Sequence, residues 1–126
     1  MKHFPLTRIA FLSLIVAVLA IGCDRSVPPP SALPIEQLPA AFEKAFGKAK
    51  PEIKDLAQQI VSLVQGQDYA KAFFELQSLS SKPSLTKEQV SVTARGSLTV
   101  SSLLQAAQAK GDTKAAEAVK LYHDTK

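Results

Sequence analysis

The sequence predicts an all-α protein: a small helical bundle built on an antiparallel αα-hairpin and preceded by an apolar leader and a Pro-rich tether. Three observations lead to this. Apolar residues recur at i, i+3, i+4 and i+7 in two consecutive stretches, 53–64 and 69–79. Gly66 and the Lys82-Pro83 pair fall where those stretches should stop. Five of the eight prolines crowd into residues 27–39, VPPPSALPIEQLP, ahead of the periodic part.

A chain of 126 residues has room for one small domain. Its composition is that of a globular protein, 46% apolar and 21% charged, with few aromatics and no Trp. The formal charge of +4 owes half its size to the first segment. Lys2 and Arg8 lie in residues 1–22, which hold no acid, so taking these two from the fifteen basic residues leaves thirteen against eleven acidic ones. That excess is too small and too dispersed for a nucleic-acid footprint, which needs a clustered basic patch. Cys23 is the only cysteine, which excludes an intramolecular disulfide and any thiolate metal cluster.

The leader comes first. Lys2, His3 and Arg8 make a short basic start, followed by IAFLSLIVAVLAIG over residues 9–22 without a charge. As a helix that run reaches about 21 Å at 1.5 Å per residue, short of the roughly 30 Å hydrocarbon core of a bilayer. A basic start, a short apolar run and small residues at its end are the parts of a signal peptide, here residues 1–22. The boundary Leu19-Ala20-Ile21-Gly22-Cys23 resembles the lipobox of bacterial lipoprotein precursors. The resemblance implies cleavage before Cys23, a diacylglycerol on its sulfur and, often, an acyl (palmitate-type) chain on its new amino group. Several chains anchor stably because each buried CH₂ contributes about 0.8 kcal/mol. The implied address is the cell envelope, on the inner or outer membrane and facing the periplasm in a Gram-negative cell. The competing reading of the leader is an uncleaved hydrophobic anchor.

Residues 23–39 read as a lipid-anchored Pro-rich linker. Consecutive prolines lack N–H donors and favour polyproline II, so thirteen residues from Val27 span up to about 40 Å as a semi-rigid spacer. The helical domain is then expected over 40–126. Phe42 and Phe46, with Ala41, Ala45 and Ala49 beside them, suggest a short first helix ending at Gly47–Lys50. Pro51 suits the first turn of a second, where its missing N–H costs nothing. Ile53, Leu56, Ala57, Ile60, Leu63 and Val64 line that helix, and Gly66 is expected to close it in the left-handed conformation. Asp68 is a candidate N-cap for a third helix with Tyr69, Ala72, Phe73, Leu76 and Leu79 on one face.

Thr86 and Gln89 have the spacing of a capping box, and Leu85 can staple onto Val90. Residues 90–103 allow two readings. Alternation around Gly96 fits strand–turn–strand. A continuous helix, which the strong start and the following LLQAAQAK favour, places Val90, Ala94, Leu98 and Leu104 on one side and carries Gly96 at a cost of about 1 kcal/mol. Gly111 should stop that helix, and Asp112 should cap a last one through Ala116, Val119 and Tyr122.

Gly66-Gln67-Asp68-Tyr69-Ala70-Lys71-Ala72, with Leu76, Leu79 and Pro83 following, is similar to the second half of a tetratricopeptide repeat. In that family the tyrosine and alanine lock two helices together and a proline closes the unit. The match covers about one repeat, Leu56 to Pro83, and no second copy is visible in the sequence, whereas stacked repeats normally number three or more. The longer run, with its "P-x-LT-x-EQ" and final "GD-x-KA", also looks like uncharacterised bacterial lipoproteins with small helical domains. Neither resemblance implies a catalytic residue.

The expected function follows from what is left: a lipid-anchored, non-catalytic interaction or structural module, or alternatively a non-catalytic accessory subunit of an envelope enzyme or transporter complex. Beyond the leader, His123 is the only histidine and lies in the last few residues, so a His-based metal site lacks its ligand set and Ser-His catalysis lacks a positioned base. Glu52, Asp55, Glu75, Glu88 and Glu117 fit helix starts or faces opposite lysines. The expectation is therefore no enzyme, no cofactor and no metal, with the membrane as one partner and another envelope protein as a candidate second. Phe73-Phe74 is the one feature hinting at binding. Neighbours on a helix point about 100° apart, so Phe74 either packs on the Phe42–Phe46 helix or joins an exposed apolar patch.

Overall fold

In the computed structural model, which describes residues 29–126, the chain is all-helical: α1 (Leu38–Phe46), α2 (Pro51–Gln65), α3 (Tyr69–Ser80), α4 (Lys87–Ala109) and α5 (Thr113–Asp124), with one 3₁₀ turn at Ile35–Gln37 ahead of α1. The signal-peptide reading and Cys23 fall outside the described residues. Helix α3 is central, packing against α2, α4 and α5, while α1 closes the bundle by touching both α2 and α4.

Local chemistry explains most of the boundaries. Pro51 opens α2 at a position that needs no N–H donor. Asp68 caps α3 by accepting from the Lys71 amide at 3.2 Å, and Asp112 caps α5 by accepting from the Ala115 amide at 3.2 Å. The capping box of α4 is complete: Thr86 accepts from the Gln89 amide, and the Gln89 side chain accepts from the Thr86 amide at 2.9 Å. That strong start resolves the ambiguity of residues 90–103, which form the middle of one continuous helix.

The turns between α2 and α3 and between α4 and α5 are built alike. In the first, the amides of Asp68 and Gln67 donate to Leu63 and Val64 carbonyls at 2.9 and 3.0 Å. In the second, those of Asp112 and Gly111 donate to Ala107 and Gln108 carbonyls at 3.1 and 3.0 Å. Both are Schellman endings, and in each the aspartate that completes the ending also caps the next helix. The left-handed residue is Gly111 (φ +89°) in one and Gln67 (φ 61°) in the other. The expectation that Gly66 would be left-handed is thus corrected: its φ is −80°, because the two amides that must turn back belong to the next two residues. A second hairpin, α4–α5, therefore repeats the turn of the first although the sequence shows only one copy of the longer pattern.

The core joins Phe42 and Phe46 of α1, Ile53, Ala57, Ile60 and Val64 of α2, Ala72, Phe73, Leu76 and Leu79 of α3, Val100 and Leu104 of α4, and Ala115 and Ala118 of α5. Leu56, expected in the seam, is only partly buried, as are Val119 and Tyr122. Ala116 is likewise half-buried, and the fully buried α5 residues are its neighbours Ala115 and Ala118.

Helix α4 differs most from its expected orientation. Val90 is 53% and Leu98 43% exposed. Gln89, Thr93, Gly96 and Thr99 are buried instead. Gly96 explains the rotation. A Cβ there would lie 2.9 Å from Cε2 and 3.0 Å from Cζ of Phe42, so the glycine is the space into which that ring fits. Turning Val90 and Leu98 inward would remove the ring from its seat. Gln89 is held by donating from Nε2 to the Ala45 carbonyl at 3.0 Å, which links α4 to the end of α1.

The domain also begins before the expected boundary at Ala40. Leu33 (4% exposed) and Leu38 (fully buried) belong to the core, so the last part of the Pro-rich segment is packed and not free spacer. A run without helical period carries no amphipathic signal, and one leucine among prolines does not announce burial.

Candidate functional site

Cys23, the one residue singled out for a covalent role, lies outside the described residues. The remaining candidates can be placed. Glu52 accepts from Lys82 Nζ at 3.1 Å, Glu88 lies 4.0 Å from Lys44 Nζ, and Glu75 accepts from Gln59 at 3.5 Å. Asp55 and Glu117 are exposed. These pairs sit in solvent, where ion pairs contribute at most about 1 kcal/mol. Among the described residues no three His, Cys, Asp or Glu side chains gather where they could hold a metal ion. His123 is exposed beside Tyr122, ring centroids 6.0 Å apart.

Phe74 does not sit in the core. It is 39% exposed, and its ring meets Phe73 edge-on at 5.7 Å. Phe73 in turn meets Tyr122 edge-on at 5.1 Å, so an aromatic run crosses from α3 to α5. No ring pairing joins Phe74 to Phe42 or Phe46 among the described residues, and its aromatic neighbour is Phe73. A small cleft of about 120 Å³ lies between Phe73, Leu104, Val119 and Tyr122.

A wider concave feature lies between α1 and α2. A groove of about 440 Å³ has Phe42, Phe46 and Ala57 as its floor, Pro39 and Val61 on its walls, and Glu43 and Lys54 at its edges. The small residues Ala40 and Ala57 are part of its lining, and the short Gly47–Lys50 link joins the two helices. A second recess of about 410 Å³ shares Pro39 and Val61 with it and continues toward Ile35 and Tyr69. Its size and apolar lining are those of a ligand cleft. Glu43, Lys54, Gln58 and Ser62 place polar groups around it, and the rest of its lining supplies van der Waals contact. The sequence signalled Phe42 and Phe46 as a helix face. It did not signal that α1 stands far enough from α2 to leave a groove.

No helix among the described residues is long and apolar enough to cross a membrane. Comparison with known protein families, with curated proteins and with solved structures finds no match to this chain.

Proposed function

We propose that this chain is a lipid-anchored protein of the bacterial cell envelope whose helical domain is a non-catalytic interaction or structural module. The observation that carries the reading is the placement of the only cysteine, directly behind an uncharged run too short to span a bilayer and directly ahead of a Pro-rich stretch. Lipid on Cys23 gives the thiol a role and places the domain at a membrane surface. The tetratricopeptide-like hairpin and the apolar α1–α2 groove favour protein binding over chemistry. In this reading the module takes no metal or cofactor and binds no nucleic acid. The dispersed, paired carboxylates and the solvent-exposed His123 support the non-catalytic part.

Metabolic labelling with a palmitate analogue tests the anchor. The wild-type chain should take up label and Cys23→Ser should not. Label on the serine variant overturns the assignment. Crosslinking in intact cells separates the module reading from the accessory-subunit alternative: a stoichiometric enzyme or transporter partner selects the latter.

A further inference from the structure

We propose that residues 31–37 form a strap, clamped to α4 by Arg95 and Thr99, whose release lengthens the tether without unfolding the bundle. Its first residues meet α4 at Ser31 and Leu33, and its last three form the 3₁₀ turn against α1. Arg95 Nε donates to the Ser31 carbonyl at 2.9 Å. The Leu33 amide donates back to the Arg95 carbonyl at 3.4 Å. Thr99 Oγ1 donates to the Leu33 carbonyl at 2.6 Å, in preference to its own i−4 acceptor, the Arg95 carbonyl, at 3.2 Å.

Between Ser31 and Gln37 only the Leu33 side chain is buried. The 3₁₀ turn Ile35–Gln37 buries nothing of its own, and Ile35 is 39% exposed. The next buried residue, Leu38, already belongs to α1. The strap is thus held by one buried apolar side chain, the part-covered Ile35 and three hydrogen bonds to α4. Segments with so few buried contacts open by local fluctuation well below the energy of global unfolding. Pro34 adds to this separateness, since it offers no amide to continue the pairing past Leu33.

Opening has a geometric consequence. With the strap docked, eight residues (23–30) link Cys23 to the domain surface, a reach of about 25 Å were they polyproline II at 3.1 Å per residue. With it released, fifteen residues (23–37) do so, a reach of about 47 Å on the same basis. The tether therefore has two lengths. That the lengths are measured from a membrane rests on the lipid-anchor reading, whereas the clamp itself does not.

Amide hydrogen exchange on the full-length chain in detergent micelles tests the clamp, read at Leu33 and, for the whole bundle, at Leu76. The Leu33 amide should be protected, yet exchange at least a hundredfold faster than that of Leu76. Thr99→Val should speed exchange at Leu33 about a further tenfold, the effect of losing one hydrogen bond, and leave Leu76 unmoved. Arg95→Ala should act in the same direction. An unprotected Leu33, equal rates at Leu33 and Leu76, or a Thr99→Val effect that is absent or shared by Leu76 would each overturn the strap. A second arm places a dye at Lys120→Cys and an acceptor lipid in phosphatidylethanolamine–phosphatidylglycerol vesicles, where the Arg95→Ala/Thr99→Val double variant should show weaker energy transfer than the parent. Failure of the chain to stay on vesicles contradicts the anchor alone. Unchanged transfer in a membrane-bound double variant contradicts the two-length tether.

Discussion

The α2–α3 hairpin buries Ile53, Ala57, Ile60 and Val64 on one helix and Ala72, Phe73, Leu76 and Leu79 on the other. In the α4–α5 hairpin the long helix buries Gln89, Thr93, Gly96 and Thr99, with Val100 and Leu104, while the short one buries two alanines. The turns are the same in hydrogen bonding and in the double use of an aspartate. The packing faces are not. The first hairpin is held by apolar area, at roughly 25 cal/mol per Å². The long helix of the second is held to α1 and the strap by closeness: Gly96 seats the Phe42 ring, and Gln89 and Thr99 donate to the Ala45 and Leu33 carbonyls. A buried helix face thus need not be its most apolar one where a partner supplies the bulk, as Phe42 does over Gly96.

Substitutions can break this contrast, beginning with the largest effect. Leu76 is fully buried in the first seam. Leu76→Ala should cost about 2–5 kcal/mol and lower the thermal midpoint by well over ten degrees, at roughly 4–8 °C per kcal/mol. Lys71→Ala, exposed on the same helix, should stay within about 0.5 kcal/mol. Equal effects from the two would remove the first half of the comparison.

Gly96→Ala tests the second half through its sign. In an exposed helix that change gains about 1 kcal/mol. Here the new methyl enters the Phe42 ring, and overpacking should make it destabilising by about 1–3 kcal/mol. Denaturant titration of Gly96→Ala alone and with Phe42→Leu should show a non-additive pair, the smaller ring-free side chain relieving the methyl.

Gln89→Glu is expected to cost about 1–2 kcal/mol, because the carboxylate still accepts from the Thr86 amide but leaves the Ala45 carbonyl without its donor. An unchanged thermal midpoint would mean that the α1–α4 link contributes nothing. Smallest are two gains. Gln67→Gly should stabilise by about 0.5–1 kcal/mol, the net of relieving a left-handed side chain and adding a flexible residue. Thr93→Val should be neutral or stabilising by up to about 1 kcal/mol, since the Thr93 hydroxyl is buried without a hydrogen-bond partner. A loss on Gln67→Gly would contradict the equivalence of the two turns.

These same features show how far the sequence could be read. The α2 and α3 helices and most of their seam, both aspartate caps, the capping box and the glycine stop at Gly111 were legible, because each rests on chemistry within a few residues, whereas residues 90–103 allowed two readings. The orientation of α4 was not legible. Its pattern ranks Val90, Ala94, Leu98 and Leu104 as the apolar side; Leu104 is buried, but over the first half of the helix the ring of Phe42, distant in sequence, makes Gly96 the inner face. Leu33 escaped for a related reason: an extended segment is buried by what lies beneath it, here Thr99 and Arg95. The α1–α2 groove depends on the spacing of two helices, which no local pattern encodes. For the candidate lipid site the situation reverses, since everything that points to Cys23 is sequence, in the eight or so residues around it and the charge-free run behind it.

The measurement that tests the account most directly is the intact mass, with N-terminal peptide mapping, of the protein extracted from membranes of the cells that make it. The account predicts a chain beginning at Cys23 whose first peptide carries the added mass of diacylglycerol, with or without a further acyl chain. A chain still bearing residues 1–22, or one beginning at an unmodified Cys23, would contradict it.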